Sequence, residues 1–292
     1  MRANGDFGPL KIPDENSKRV MARIVVPEAE AILDKEFPVL DRGFVRLVDY
    51  LGGDSRIVAA ARVSYGPGTK TTREDTALIH YLMRNLHTSP FEQVILTFHA
   101  KMPIFVARQW VRHRTARLNE TSARYSVMPD EFYLPTVEQI RNQSRRDKQG
   151  RTTEDLPRET QERVLEILKR DQASAYGSYE NLLRDDIARE LARINLPLSV
   201  YTQWYWQIDL HNLFHFLKLR LDKHAQFEIR QYAEAMAQMA KAVAPVAYHA
   251  FEEHVLYAAR ISRSTKERLM QLLRSFAPGS SEAVEILKTL EE

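Results

Sequence analysis

The stretch that most restricts how this chain folds is "PIFVARQWVRHR", from Pro103 to Arg114. A proline opens it, as suits the first turn of a helix, and apolar residues then surround the helix axis almost completely. A helix that is apolar all round is stable only when buried. Its end nevertheless carries Arg112, His113 and Arg114, where cations also complement the helix C-terminal dipole. The fold must therefore bury this helix and still bring cations to the edge of the core. Asn119, Glu120, Ser122 and Arg124 follow within what reads as one loop. A guanidinium fork matches phosphate and carboxylate oxygens, and a serine hydroxyl with backbone amides can complete an anion nest. A phosphate-bearing ligand is the expectation, ahead of a structural ion-pair network or a solvated surface.

The flanking pattern mixes strands and helices. "FVRLVDYLGG" alternates and ends in Gly-Gly, a strand running into a turn. "FEQVILTFHA" puts Val94, Leu96 and Phe98 on one face, and "VYTQWYWQI" does the same with Trp204, Trp206 and Ile208. Helices are expected over "DSRIVAAARVSY", with Asp54 as its N-cap, over "TREDTALIHYLMRNLH", and through the run that begins "QERVLEILKRDQ". Asp209 caps "LHNLFHFLKLR", in which Leu210, Leu213, Phe214, Leu217 and Leu221 follow helical spacing. "HAQFEIRQYAEAMAQMAKAVAP" is a long helix stopped by Pro245. Residues 1–42, rich in Pro, Asp, Glu and Lys, read as an arm outside the core with one short helical candidate, "PEAEAILDKEF". Residues 43–260 form the main body, with a polar insertion or loop at about 141–158, and residues 261–292 read as an amphipathic helical extension.

Composition narrows the function. The 44% of apolar residues suffices for a real core, and a net charge of +3 is too small to mark the whole chain as a nucleic-acid binder. Arg112 and Arg114 lie among Trp110 and Val111 and not along a basic stripe, which also argues against nucleic acid. The absence of cysteine removes disulfides, thiolate metal sites and cysteine nucleophiles. With no apolar leader at the N-terminus, and no run approaching ~18 apolar residues, a cytoplasmic protein without membrane association is expected.

Two further constellations are weaker. Ser122 lacks the Gly-x-Ser-x-Gly elbow of an activated nucleophile, although His113 is near in sequence. His211 and His215 stand at a metal-ligand spacing, but "HNLFH" has no glutamate of the H-E-x-x-H kind. Asp222 and His224 are the remaining candidates for a third ligand. Hydrogen bonding to a ligand or polar packing is preferred, and no metal is assigned. Neither a G-x-G-x-x-G nor a P-loop is present, so a dinucleotide would need another mode of binding.

"RHRTARLNETSAR" resembles the signature of the flavin-dependent thymidylate synthases, R-H-R-x-x-S-x-N-E-x-S-x-R. Arg112, His113, Arg114, Asn119, Glu120, Ser122 and Arg124 match it, and Arg117 departs from it by standing where the pattern has serine. The blocks "AARVSY", "HTSPFEQVILTFHAKMPIFVARQW", "LARINLPLSVYTQWYW" and "LHNLFHFLKLRLDKHAQFEIR" extend the likeness, in family order, over roughly residues 44–256.

The resemblance implies an α+β fold, an antiparallel or mixed sheet flanked by helices, with residues 43–260 as the catalytic domain. It implies methylation of dUMP to dTMP, with 5,10-methylenetetrahydrofolate as carbon donor and NADPH as reductant through FAD. It further implies a homotetramer whose active sites draw on several subunits. By the same resemblance Gln109, Arg112, Glu120, Ser122, Ala123, Arg124 and Arg193 line the dUMP site, and Arg220 is the catalytic, activating arginine at the uracil edge. Ser64, His87, Ser89, Arg112, His113, Arg114, Glu120, Asp209, His211, His215 and His224 fall at flavin-contacting positions. Another FAD- or nucleotide-binding protein on the same scaffold is the alternative, and a nucleic-acid-binding protein a more distant one.

Overall fold

A computed structural model describes residues 24–63, 72–145, 150–276 and 280–291. Five strands form one antiparallel sheet: β1 (Phe37–Val39), β2 (Gly43–Leu51), β3 (Ile95–Pro103), β4 (Arg117–Glu120) and β7 (Tyr201–Asp209), in the order β1-β2-β3-β7-β4. Strands β5 (Arg141–Gln143) and β6 (Arg151–Asp155) pair separately as a two-stranded ribbon. The helices are α1 (Pro27–Glu30), α2 (Asp54–Arg62), α3 (Thr72–Arg84), α4 (Ile104–Trp110), α5 (Arg158–Arg184), α6 (Arg189–Ala192), α7 (Leu210–Arg220), α8 (Phe227–Val243), α9 (Pro245–Phe251), α10 (Arg263–Phe276) and α11 (Ser281–Glu291). The α+β expectation holds, and every strand pair is antiparallel.

Alternation decides which sheet face becomes core. Leu96, Phe98 and Ala100 of β3 lie opposite Ile208, Trp206 and Trp204 of β7, and all are buried. On β2 the inward set is Val45 and Leu47, until the register shifts between Leu47 and Asp49. The extra residue moves Tyr50 inward and leaves Asp49 at the outer face, because side chains alternate with a period of two. The Tyr50 hydroxyl then donates to Glu30 Oε1 at 2.6 Å and accepts from the Val26 amide at 2.8 Å, tying α1 to the sheet.

Helix α8 crosses this face with Ile229, Tyr232, Ala233, Met236, Ala240 and Val243 buried at helical spacing. Its Tyr232 hydroxyl donates to the Lys101 carbonyl at 2.8 Å and passes directly over Gly43, where a Cβ would collide with the phenol oxygen and with two backbone carbonyls. Trp110 of α4 is fully buried against Trp204, Trp206, Phe216 and Tyr232, with Val106 and Ala107 buried beside it. Arg108 and Val111 are exposed, so the helix expected to be buried all round buries one face. A smaller cluster, with Ala123, Met128, Phe132, Tyr179, Ala192 and Val200, packs under α5.

Several expectations need correction. Residues 24–42 are not an arm outside the core: Ala29 and Val39 are buried in the main cluster, and β1 extends the sheet. Asp54 begins α2 but does not cap it. Its carboxylate accepts from the amides of Val246 and Ala247, both at 2.9 Å, and so caps α9, whose first-turn amides have no intrahelical partner. Residues 117–120 are an edge strand and not part of a loop. The polar run near 141–158 contains the β5–β6 ribbon, held by backbone pairing that side-chain polarity does not reveal.

Candidate active site

The α4 helix ends at Trp110, so Arg112, His113 and Arg114 lie just beyond it and not in its last turn. The His113 amide still bonds back to the Trp110 carbonyl at 3.0 Å, which fixes where the ring emerges. That ring packs edge-on against Phe216, with centroids 4.9 Å apart, and near His215 at 5.8 Å. Both partners stand on α7, whose start Asp209 caps as expected: Oδ1 accepts the Asn212 amide at 2.9 Å and Oδ2 the Asn212 side-chain amide at 2.8 Å. Asp209 therefore acts through the helix it holds, with both carboxylate oxygens engaged.

Arg220 closes the last turn of α7 and reaches back toward α4. Its Nε donates to His113 Nε2 at 3.2 Å, and one terminal nitrogen donates to the Gln109 carbonyl at 3.4 Å. A guanidinium can only donate, so His113 Nε2 is the acceptor and the ring proton sits on Nδ1. Burial, then the Arg220 charge, then His215 push His113 down to about 4, which keeps the imidazole neutral near pH 7. Burial and then the neighbouring Arg112 charge hold Arg220 below its ordinary value. Gln109, Arg112, His113, His215 and Arg220 thus form one assembled set.

The signature residues that follow are held differently. Glu120, on the edge strand β4, accepts from the Thr202 hydroxyl at 2.6 Å. Ser122 Oγ accepts the Arg124 amide at 3.3 Å, Ala123 is buried in the smaller cluster, and Arg124 pairs with Glu190 at 3.1 Å, both side chains being more than half exposed. Arg193 is half-buried on the short 3-10 turn after α6. Among the described residues no hydrogen bond or ion pair joins this group to the set around Arg220. Arg114 and Asn119 are exposed, and Arg117 donates to Gln207 Oε1 at 3.2 Å from the sheet edge.

The remaining positions scatter. His87, His211 and His215 line one cavity of about 150 Å³, walled by Phe91, Phe214 and Phe251, with Lys218 and Arg260 at its rim. Aromatic walls, imidazoles and two cations suit part of an anionic, planar cofactor. The volume is below the ~300–1,000 Å³ usual for whole-ligand pockets. Ser89 lines a different depression with Arg56 and Gln93. His224 pairs with Asp222 at 2.8 Å and lines a third cavity with Arg141, Arg151, Lys223 and Arg230. Ser64 lies outside the described residues.

Sequence reasoning missed Arg151, Tyr133, Gln226 and Glu228. Glu228 is 1% exposed, accepts from the Tyr133 hydroxyl at 3.1 Å and from Gln226 at 2.8 Å, and pairs with Arg151. A signal was available, since Glu228 falls on the same helical stripe as Tyr232, Ala235 and Met239.

The family model described as thymidylate synthase complementing protein matches residues 46–246. A flavin-dependent thymidylate synthase of Treponema denticola is 60% identical over 241 residues, covering 82% of this chain and 91% of the relative. One from Rickettsia bellii is 52% identical over 263 residues, covering 86% and 90%. Among solved structures, a UMP/dUMP methylase, PolB from Streptomyces cacaoi, bound with 5-Br dUMP, is similar with a TM-score of 0.68 and 33% identity, covering 74% of this chain and 97% of that one.

Proposed function

The chain belongs to the flavin-dependent thymidylate synthase family, and we propose that it converts dUMP to dTMP with 5,10-methylenetetrahydrofolate as carbon donor and NADPH as the source of electrons. It is a flavoenzyme of the methyltransferase kind. The observation that carries the substrate reading is the Arg220 guanidinium, held by His113 and the Gln109 carbonyl at the edge of a buried aromatic core. A uracil ring becomes nucleophilic at C5 when negative charge on its N3–C4–O4 edge is stabilised. A guanidinium fixed before the substrate arrives does this without reorganising at the moment of reaction. Neutral His113 supports that arrangement, because a protonated ring would present an N–H to Arg220 where a lone pair is needed.

The nucleotide phosphate finds its partners in Arg112, Ser122, Arg124 and Arg193, with Glu120 and Ala123 shaping the site between them. Bound FAD supplies the reducing equivalents for methyl formation, chemistry for which no side chain of this chain substitutes. His87, His211 and His215 offer hydrogen bonds around the aromatic cavity, and Arg112, His113 and Arg114 suit its pyrophosphate. Ser64, Ser89, Glu120 and His224 complete the proposed cofactor set, and Asp209 serves it by holding the start of α7.

From the family resemblance we infer a homotetramer in which one subunit's Ser122–Arg124 segment completes the Arg220 site of another, an arrangement compatible with the absence of any described hydrogen bond between the two halves. Residues 43–260 act as the catalytic domain, to which residues 24–42 add strand β1 and part of the core, with 261–292 as an extension. No described helix is long and apolar enough to cross a membrane, and we place the enzyme in the cytoplasm.

The deciding experiment follows dTMP formation from dUMP while folate donor, FAD and NADPH are withheld in turn. Each omission should abolish product. Synthesis that survives removal of flavin would overturn the reading.

A further inference from the structure

Glu228 stands at the first turn of α8, close to the proposed nucleotide site but outside it. Every neighbour donates to it. Arg151 reaches its Oε1 from β6 while a second guanidinium nitrogen is anchored on the Gln139 carbonyl at 3.2 Å. The Tyr133 hydroxyl also donates to Oε1, at 3.1 Å, and burial followed by the Glu228 charge pushes that phenol far above its ordinary value, so it keeps its proton. Oε2 accepts from Gln226 Nε2 at 2.8 Å.

A carboxylate paired with a guanidinium can only accept. The Gln226 amide, almost symmetric in shape, is therefore forced to point its NH2 group at Glu228 and its oxygen the other way. That oxygen accepts from Gln109 Nε2. Gln109 is fixed in turn: its NH2 is engaged by Gln226, and among the described residues its Oε1 has no hydrogen-bond partner, which leaves it as an acceptor. The backbone carbonyl of the same Gln109 receives an Arg220 N–H at 3.4 Å, so acceptor and guanidinium are carried by adjoining groups.

We propose that Arg151, Glu228 and Gln226 form a positioning relay that fixes Gln109 as a hydrogen-bond acceptor beside the Arg220 donors, and thereby makes the site select uracil over cytosine. The inference rests on the dUMP reading above. Uracil offers an N3–H donor flanked by carbonyl acceptors, which an acceptor beside a guanidinium complements. Cytosine offers a lone pair at N3 and an amino group at C4, so the same array opposes lone pair to lone pair and N–H to N–H. Sites built to pair a substrate N–H discriminate strongly, because a mismatched ligand leaves polar groups unpaired. The relay residues themselves touch no substrate in this scheme. They set which end of Gln109 does.

The test measures dissociation constants for dUMP and dCMP on the full-length, flavin-loaded protein, by calorimetry with competition for the weaker nucleotide. The unaltered protein should favour dUMP. Gln226→Met keeps the side-chain length at an exposed position and removes the oriented oxygen. The dUMP-to-dCMP preference should then fall about tenfold, the worth of one oriented hydrogen bond, with flavin content unchanged. Glu228→Gln should lower the preference further, since an amide there can donate to Gln226 and turn both glutamines round. If Glu228→Gln does not fold, Gln226→Met decides alone. Equal weakening of both nucleotides, or an unchanged ratio, would show a merely structural network and overturn the relay. Failure of the unaltered protein to bind dUMP would overturn the substrate reading itself, a result distinguishable from an unchanged ratio in a protein that binds it.

Discussion

The set around Arg220 and the Glu120–Arg124 segment both belong to the proposed nucleotide site, yet they are built in opposite ways. Arg220, His113 and Gln109 stand on or beside helices whose other faces carry Trp110 and Phe216, both fully buried. The charged head is thus positioned by a rigid aromatic core. Arg124 instead extends from an edge-strand connection, with Glu190 as its ion-pair partner at the surface. The contrast separates a half preorganised by its own chain from a half that, in the proposed tetramer, would complete a site on a second subunit. Transition-state stabilisation depends on groups already in place, which suits the first half. Recognition of a phosphate tolerates side chains that settle on binding.

The comparison breaks most severely at Trp110. Truncation to alanine should cost about 3–5 kcal/mol, the usual penalty for emptying a buried aromatic site. Chemical denaturation should show this loss together with loss of dTMP synthesis. Full stability with lost activity would mean that the ring serves the chemistry and not the scaffold.

Arg220→Lys isolates the preorganised half. The charge stays, but a single ammonium cannot make the His113 and Gln109 contacts in fork geometry. Turnover to dTMP should drop roughly 10²–10³-fold, as for removal of a fixed donor to developing negative charge. Flavin content and NADPH-driven flavin reduction, followed by stopped flow, should change much less.

A pH series sharpens the same half. Burial and Arg220 depress His113 to about 4, so in the fold the neutral ring is favoured. Below its ordinary value of 6.5 the unfolded chain takes up the proton first. Stability is therefore lost as pH falls from about 6.5 toward 4, the window set by that shift. His80 and His254 are also held below the ordinary value, chiefly by burial, and act in the same direction. Melting temperatures should fall across this window, and His113→Gln should show a shallower fall. An identical slope in both proteins would remove His113 from the account.

The smallest stability effect belongs to the other half. Arg124→Gln removes an exposed ion pair, and such pairs contribute about 0–1 kcal/mol. The melting temperature should barely move, whereas dUMP affinity should fall. A variant of Arg124 mixed with a variant of Arg220 should recover part of the activity if the two halves meet between subunits.

Much of this was legible in the linear chain. Alternation in "FEQVILTFHA" and "VYTQWYWQI" determined two central strands and their inward faces, and helical spacing determined the buried stripe of α7. The Asp209 cap was legible because a cap bonds an amide only three residues away. The signature determined which side chains to expect at the site. Tertiary structure alone decided how they are partnered. Asp54 caps a helix 192 residues further along, β4 exists because β7 offers it an edge, and Glu228 is held by Arg151 from a ribbon 77 residues away. Periodicity and caps are local and repeat within a few residues, so sequence records them. A contact between distant segments leaves no period, and its energy appears only when folding has brought the two sides together.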